Sequence, residues 1–532
     1  MPSKLNPSIA ASAEKCFRSI LWDDVKTQSS NIEAQNTNSS DLNPDTLYDL
    51  NLSQIIESIL AEYAEYNLKE FFLRPLTAHA SIVYRQQVMR DLLEAPTEAC
   101  LQEFARQMRS IRADLAIRAT IRHKLQQQIR LLEVLCRYIA AMQNLAHSLV
   151  ACTIASEGLQ FFLIYLQDYV GAAEFKTLEQ EANVLKAELN AVRYSLKING
   201  RRVQVSEYAE HPDFGVEIQK TFAKFQETAG KRYRFEFHGT DEMNHVEAEI
   251  LDRVARLHLA FFESLQDFSS RHSNFIDDTL ARFDREIHFY LAYVAHMRKV
   301  SIDQYTFCCP EITTSSKEVV ALEAYNLALL DQQQREHHAT TANSFKLSGA
   351  ERIIVVTGPN QGGKTTFARM FGQLHYFAAL GCYVPARSAR LYLFDQIFTH
   401  FEREENVESL ASKLEADLER MQSILQSATP RSILIMNESL LATTLEDAIF
   451  LSQQVLEQVI AKDMLCLTVT FLDELSRYSD QTVSMVSEPA GSSSPDRKFK
   501  ITRRPADGNA YAQTLAEKYG LSYEAILHRI EA

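Results

Sequence analysis

Gly358-Pro359-Asn360-Gln361-Gly362-Gly363-Lys364-Thr365 satisfies G-x-x-x-x-G-K-[ST] and stands between two segments of opposite character. The run Ile353 to Thr357 before it is apolar and β-branched, which predicts a buried strand; Thr366 to Leu380 after it is proline-free with a lone Gly372, which predicts a helix. Between a strand and a helix, glycines let backbone N–H groups turn onto phosphate oxygens with no Cβ in the way, and the helix N-terminus adds a partial positive charge. Lys364 brings a point charge for the phosphates and Thr365 a hydroxyl for Mg²⁺. The bare pattern also fits a glycine-rich turn; the flanking strand and helix are what select nucleotide binding.

A nucleotide-hydrolysing site needs a second buried strand that ends in acidic character, to order Mg²⁺ and polarise the attacking water. Ser432-Ile433-Leu434-Ile435-Met436-Asn437-Glu438 is such an apolar run closing on a carboxylate. A third strand, Leu465 to Thr470, follows the helix-like stretch Thr444 to Ala461. Strands alternating with helices imply a mostly parallel sheet with its ligand at the strands' carboxyl ends, so residues 350 to about 505 read as a P-loop α/β domain.

Composition bounds the rest. A chain of 532 residues holds about three to four structural units. A net charge of −14 argues against a protein coated in a nucleic-acid-binding field, so any DNA contact is a local basic patch on an acidic body. No early segment pairs a basic region with an apolar one and a cleavage site, and no apolar run approaches ~18 residues; we expect a cytoplasmic protein with no membrane association. The eight cysteines include no C-x-x-C and no metal-ligand spacing with histidine, and only Cys308-Cys309 adjoin, so they read as buried or incidental thiols.

Residues 1 to about 22 hold a short amphipathic piece with Phe17, Ile20, Leu21 and the only tryptophan, Trp22, followed over 24–46 by a polar, linker-like stretch. From Leu52 to about Leu189, sets such as Ile55, Ile56, Leu60, Tyr63 and Leu131, Leu132, Leu135, Ile139 predict packed helices. The period then changes to that of strands: Leu196, Ile198, Val203 and Val205 alternate around Asn199-Gly200, a two-residue hairpin signal, and Tyr233, Phe235 and Phe237 alternate further on. Arg201, Arg202, Arg232 and Arg234, with Lys197 and Lys231, make this the densest basic clustering with interleaved aromatics. Such a cluster reads as a solvated sheet face or as a nucleic-acid contact. Val246 to Phe268 and Phe275 to Met297 then step at helical spacing, which predicts an extended antiparallel helix pair.

Thr357-Gly358-Pro359-Asn360-Gln361-Gly362-Gly363-Lys364-Thr365-Thr366 closely resembles the TGPNMGGKST of the MutS family of DNA-repair ATPases. Ala379-Leu380-Gly381-Cys382-Tyr383-Val384-Pro385-Ala386 resembles that family's A-x-x-G-x-F-V-P-A, one residue shorter before the glycine, and Tyr511-Ala512 through Ile526 resembles its closing segment. Phe72-Leu73-Arg74-Pro75-Leu76 and Ile82 to Met89 are similar to the start of its helical core. The resemblance spans roughly residue 45 to the C-terminus. It implies a multidomain α plus α/β fold: an N-terminal segment and linker over 1–46, a helical core and lever domain over 47–345 with a small β insertion at about 190–240, and a P-loop, ABC-type ATPase domain over 346–532. It implies ATP and Mg²⁺ as cofactors, held by Gly358, Pro359, Asn360, Gln361, Gly362, Gly363, Lys364, Thr365 and Thr366. Thr365 and, through water, Asn437 would hold the metal, with Lys364 and Glu438 catalytic. It also implies a homodimer in which Ser412, ahead of the helix-like run Leu414 to Leu425, reaches the partner's nucleotide, and helix-pair levers joining the ATPase to a DNA-clamping end.

The departures matter as much. Where most members carry Asp-Glu, this chain has Asn437-Glu438, so one Mg²⁺-ordering carboxylate becomes a neutral amide. The family's G-R-G-T-S is here Leu440-Leu441-Ala442-Thr443-Thr444, the histidine after the third strand is Phe471, and the serine signature is reduced to Ser412-Lys413-Leu414-Glu415-Ala416-Asp417-Leu418. The family's mismatch sensor is an N-terminal domain larger than the stretch before residue 45, and Phe235-Glu236-Phe237 has wedge-like letters in the wrong part of the chain. The expectation is a trimmed member with neither that domain nor a C-terminal nuclease domain. Two functions remain open. One is a homodimeric ATPase that clamps duplex or branched DNA in mismatch repair or recombination, recognising structure rather than bases. The other is a nucleotide-gated scaffold with weak or no hydrolysis, acting on a protein or on structured RNA such as the ribosome.

Overall fold

The computed structural model describes residues 17–22, 43–200, 202–208, 243–301, 305–336, 340–360, 362–402, 413–487 and 499–506. Helix begins earlier than the apolar periodicity does. Asn43 accepts from the N–H of Asp45 and Pro44 sits in the first turn, so α1 (Pro44–Asp49) starts within the stretch 24–46 expected to be polar linker and runs past its end. There follow α2 (Leu52–Leu60), α3 (Lys69–Leu73), α4 (His79–Leu93), α5 (Ala95–Thr120), α6 (Lys124–Val150), α7 (Glu157–Gly171) and α8 (Ala173–Ala191). After the hairpin β1 (Tyr194–Asn199) and β2 (Arg202–Glu207) come α9 (His245–Leu257), α10 (Leu259–Arg271) and α11 (Asp278–Val300).

The chain divides into two compact units: Met1–Phe17, Ala95–Ile154 and Gln160–Asp284 make the first, and Arg18–Glu94, Ala155–Leu159 and Arg285–Ala532 the second. In the first, the short connection at Ile121 folds α6 back along α5, burying Leu101, Phe104, Met108 and Ile111 against Leu131, Leu135, Tyr138 and Met142. Each such side chain contributes about 1.5–3 kcal/mol when fully buried. Asp114 of α5 is paired by Arg130 and Arg137, which lie seven residues and so two turns apart on α6. The hairpin turns where expected but not in the register that Asn199-Gly200 as the two turn residues would set: Asn199 is the last residue of β1 and pairs with Arg202, only Gly200 of the two has a positive φ (+59°), and Leu196 lies opposite Val205 and Ile198 opposite Val203.

The expected long helix pair is corrected here. Its first limb is two 13-residue helices that meet at His258 (φ −121°, ψ 46°), and α10 packs on α6 and α8. An apolar period running unbroken through a one-residue break cannot reveal the break, because neither Leu257 nor His258 nor Leu259 is a helix breaker.

The second unit contains β3 (Glu311–Thr313), β4 (Val319–Ala324), α12 (Leu327–Glu336), β5 (Asn343–Leu347), β6 (Ile353–Thr357), α13 (Lys364–Ala379), β7 (Ser388–Tyr392) and β8 (Ile397–Phe401). It continues with α14 (Lys413–Ser427), β9 (Ile433–Asn437), α15 (Leu445–Ala461), β10 (Leu465–Val469), β11 (Thr482–Ser487) and β12 (Ile501–Arg503). Six strands form a sheet in the order β12-β11-β6-β10-β9-β8, parallel except at the β12 edge. A separate mixed sheet runs β3-β7-β4-β5. Every residue of β6, β9 and β10 is buried, as strands covered on both faces require. Their register brings Val356, Asn437 and Val469 level, so three carboxyl ends open at one place.

The same unit takes in Ser19 to Trp22. Glu286 accepts from the Ser19 hydroxyl and from the N–H of Ile20 at 2.9 Å, and Tyr84 and Tyr290 donate to the carbonyls of Ser19 and Ile20. Arg85, fully buried, donates from Nε to the Leu21 carbonyl (3.0 Å) and from Nη1 to the Leu380 carbonyl (3.2 Å), while its guanidinium lies 4.6 Å from the centre of the Trp22 ring. Gly381 makes room for this: its φ is +79°, and a Cβ there would stand 2.5 Å from the Cβ of Arg85.

Among the described residues no helix is long and apolar enough to cross a membrane. The seven described cysteines are free thiols; only Cys382 and Cys466 are buried, the other five being half-buried.

Candidate functional site

The strand β6 delivers the chain to Gly358, where φ reaches +124° and a Cβ would meet the Cβ and carbonyl oxygen of Ser487 at 2.9 Å. Gly363, in the left-handed region at φ +84°, is the cap of α13, whose first residue Lys364 lies two positions before the start that the sequence indicates. The helix therefore begins inside the glycine motif, and Lys364 and Thr365 occupy its first turn, where backbone N–H groups have no helical acceptor.

Lys364 is nearly buried, and its Nζ donates to the carbonyls of Gly358 (2.9 Å) and Pro359 (3.0 Å). Burial holds its pKa below the usual lysine range, opposed by the charge of Glu438. Thr365 donates its hydroxyl to Oδ1 of Asn437 at 2.9 Å, joining the start of α13 to the last residue of β9. Glu438 follows at φ +52°, its N–H donating to the Val469 carbonyl. Thr470 continues β10 with an N–H to the Val356 carbonyl, and Phe471 beyond it is 56% exposed.

These residues open onto a cleft of about 510 Å³. Asn360, Gly362, Gly363, Lys364, Thr365, Thr366 and Glu438 line it; Gly358 and Pro359 stand behind as the acceptors for Lys364, and Asn437 enters through Thr365. Gln361 and Ser412 lie outside the described residues. So do Arg201, Lys231, Arg232, Arg234, Phe235-Glu236-Phe237 and the closing segment from Tyr511; of the basic candidates Lys197 on β1 and Arg202 on β2 are described, both exposed.

Several lining residues escaped the sequence reading. Asn326 caps α12 by accepting from the Leu329 N–H and donates to the Thr366 carbonyl at 3.1 Å. Asn343 donates to the carbonyl of Phe499 and accepts from the N–H of Ile501 at 2.8 Å, fixing Phe499 (φ +65°, 49% exposed) at the cleft. Leu329, Met370 and Phe499 are the apolar part of the lining, and Phe499 packs against the loop itself, 3.2 Å from where a Cβ on Gly363 would stand. Ser487, at the end of β11, donates to the Gly362 carbonyl at 2.6 Å. None of these letters carries a local pattern; they come from separate elements, Asn326 and Leu329 from α12 and its cap, Met370 from α13, Asn343 from β5, Ser487 from β11 and Phe499 from just before β12.

A glycine loop joining a central parallel strand to a helix, with a second strand's polar terminus bonded to that helix's first turn, defines an α/β domain whose ligand site is at the strand ends. The family model described as MutS domain V matches residues 354–522, and that described as the MutS2 N-terminal domain matches residues 77–300. The chain belongs to the MutS family. It is 29% identical to the DNA mismatch repair protein MSH4 of Arabidopsis thaliana over 224 residues, which is 41% of this chain and 27% of that one. It is 25% identical to the DNA mismatch repair protein MutS of Chlorobaculum tepidum over 228 residues, 42% of this chain and 26% of the relative. With the DNA mismatch repair protein MSH3 of Phaeosphaeria nodorum it shares 36% identity over 146 residues, 27% of this chain and 13% of the relative. The matched stretches thus span 27% or less of the length of these relatives.

Proposed function

We propose that the cleft binds ATP with Mg²⁺ and hydrolyses it, and that the chain, as a cytoplasmic homodimer, couples this to holding duplex or branched DNA in mismatch repair or recombination. One observation carries the reading: the Thr365 hydroxyl is bonded to Asn437 at 2.9 Å while Glu438, the next residue, lines the same cleft. Two oxygen donors and a carboxylate are thereby gathered beside a lysine at a helix N-terminus, a donor set that fits a hard cation and a polyphosphate. Thr365 and, through water, Asn437 would hold Mg²⁺, which supplies charge neutralisation on the phosphates.

The protein's own groups do the rest. Lys364 meets phosphate charge, which favours its charged form against the lowering that burial causes. Glu438 orients the attacking water and accepts its proton, and the apolar wall of Leu329, Met370 and Phe499 takes the base. Ser412 completes the partner's site, and the arginines around the hairpin, Arg202 among them, meet DNA phosphates.

The test is ATP titration and phosphate release by the purified protein, alone and with homoduplex, G·T-mismatched duplex, branched DNA or structured RNA. The expected result is ATP binding and DNA-stimulated release, steep salt dependence, and equal affinity for mismatched and matched duplex. A tenfold mismatch preference, about 1.4 kcal/mol, would overturn recognition of structure over bases. Asn437 favours a second reading, since an amide adds no charge toward the metal. Tight ATP binding without release would establish that reading, a nucleotide-gated scaffold for a protein or RNA partner.

A further inference from the structure

The turn after β9 contains two side-chain-bearing residues in the left-handed region, Glu438 at φ +52° and Leu440 at φ +60°. That region is unfavourable for any residue with a Cβ, so the surroundings must hold them there. Leu440 is held by burial, 1% exposed in the core beneath α15. Glu438 lines the cleft, so its constraint has to come from its neighbours.

Ser439 supplies it. Its hydroxyl donates to the backbone carbonyl of His400 at 2.7 Å, and its oxygen lies 2.8 Å from Nδ1 of the same histidine. With the hydroxyl proton given to the carbonyl, the serine lone pairs face the ring N–H. Nε2 of His400 lies 3.1 Å from the carbonyl oxygen of Asp417 on α14, and the Asp417 carboxylate is 3.8 Å away. The ring is fully buried between Ser439 and α14, which leaves it little room to turn. His400 stands on β8 opposite Met436 of β9, so the contact ties the turn after one strand to its neighbour in the sheet.

We propose that Ser439 and His400 are positioning residues that clamp the left-handed turn and so aim the Glu438 carboxylate at the water that attacks the terminal phosphate. This rests on the ATP-hydrolysing reading. Neither side chain lines the cleft; both act through the backbone of Glu438.

The test compares Ser439→Ala, Ser439→Thr and His400→Gln with the wild-type chain by ATP titration and by phosphate release at saturating ATP. Circular dichroism melts accompany each variant. Misplacing a catalytic group costs on the order of ten- to a hundredfold in rate, so Ser439→Ala and His400→Gln should lower kcat by that much with ATP affinity unchanged. Ser439→Thr, which keeps the hydroxyl, should recover most of it. Wild-type kcat in Ser439→Ala, or a loss of ATP affinity matching the loss of kcat, overturns the clamp while leaving the nucleotide site standing. Failure of the wild-type chain to release phosphate overturns the clamp together with the hydrolytic reading, and failure to bind ATP overturns the nucleotide site itself.

Discussion

Gly381→Ala should destabilise the second compact unit far more than the same substitution at Gly349, although both glycines have positive φ, +79° and +55°. At Gly349 nothing lies within 4 Å of the added Cβ, so the cost is the backbone term alone, about 1 kcal/mol. At Gly381 the Cβ would stand 2.5 Å from the Cβ of Arg85 and 3.3 Å from the carbonyl oxygen of Ile82. Neither can yield freely, because Arg85 is fully buried and its guanidinium is fixed by the Leu21 and Leu380 carbonyls. Overpacking of that kind adds about 1–3 kcal/mol, for a total of about 2–4 kcal/mol. Thermal melts followed by circular dichroism are the assay. For a unit of this size the fall in Tm should be about 1–2 °C for Gly349→Ala and roughly 3–6 °C for Gly381→Ala. Equal falls would refute the argument, since they would mean that Arg85 moves aside at no cost.

Lys364→Ala should weaken ATP binding by about ten- to a hundredfold, the worth of a charge-assisted contact, while the melting curve stays near wild type; unchanged affinity in an ATP titration would remove Lys364 from the site. Asn437→Asp should raise turnover or lower the Mg²⁺ concentration needed for it, and Glu438→Gln should trap bound ATP, both read by phosphate release against Mg²⁺. Full turnover in the glutamine variant would show that Glu438 does not position the water. His375, buried in α13 with Nδ1 2.8 Å from the Phe371 carbonyl, has its pKa pushed by burial from 6.5 down to about 4. As pH falls the unfolded chain binds the proton first, so this residue's contribution is complete above about 6.5. It falls by about 1.4 kcal/mol per pH unit down to about 4. His375→Gln should therefore lose about 2 kcal/mol less than wild type between pH 7.5 and 5 in urea unfolding, and identical losses would show that His375 is not held neutral.

What could be read from the letters was local. Ile353–Thr357, Ile433–Asn437 and Leu465–Val469 are short apolar runs that only a strand buried on both faces explains, and they fell within one residue of where the sequence placed them. The hairpin's existence and place followed from the alternation around Gly200, whereas its register did not, because Asn199 pairs in the strand with Arg202 instead of taking the first place of the turn. The second sheet was not readable: β3 has three residues, β4 is irregular between Ala321 and Ala324, and their partners lie far along the chain. At the site, Lys364 and Thr365 carried a pattern, whereas Asn326, Asn343, Ser487 and Phe499 act through backbone carbonyls and N–H groups that any sequence possesses. Their roles come from where α12, β5 and β12 begin and β11 ends, a property of the assembled sheets rather than of any window of residues.

The burial of Ser19 to Trp22 gives the protein a spectroscopic property. Trp22 is the only indole in the chain, and it lies against the guanidinium of Arg85, which is bonded to the carbonyl of Leu380 where α13 ends. That helix starts at Lys364 and has 16 residues, so a rod of about 24 Å separates the glycine loop from the indole. Any ligand that draws the first turn of α13 along its axis moves the acceptor of Arg85 and changes the electrostatic field at the ring. Emission from an unlabelled sample, excited where only indole absorbs, therefore reads events at the far end of the helix with no background from a second tryptophan.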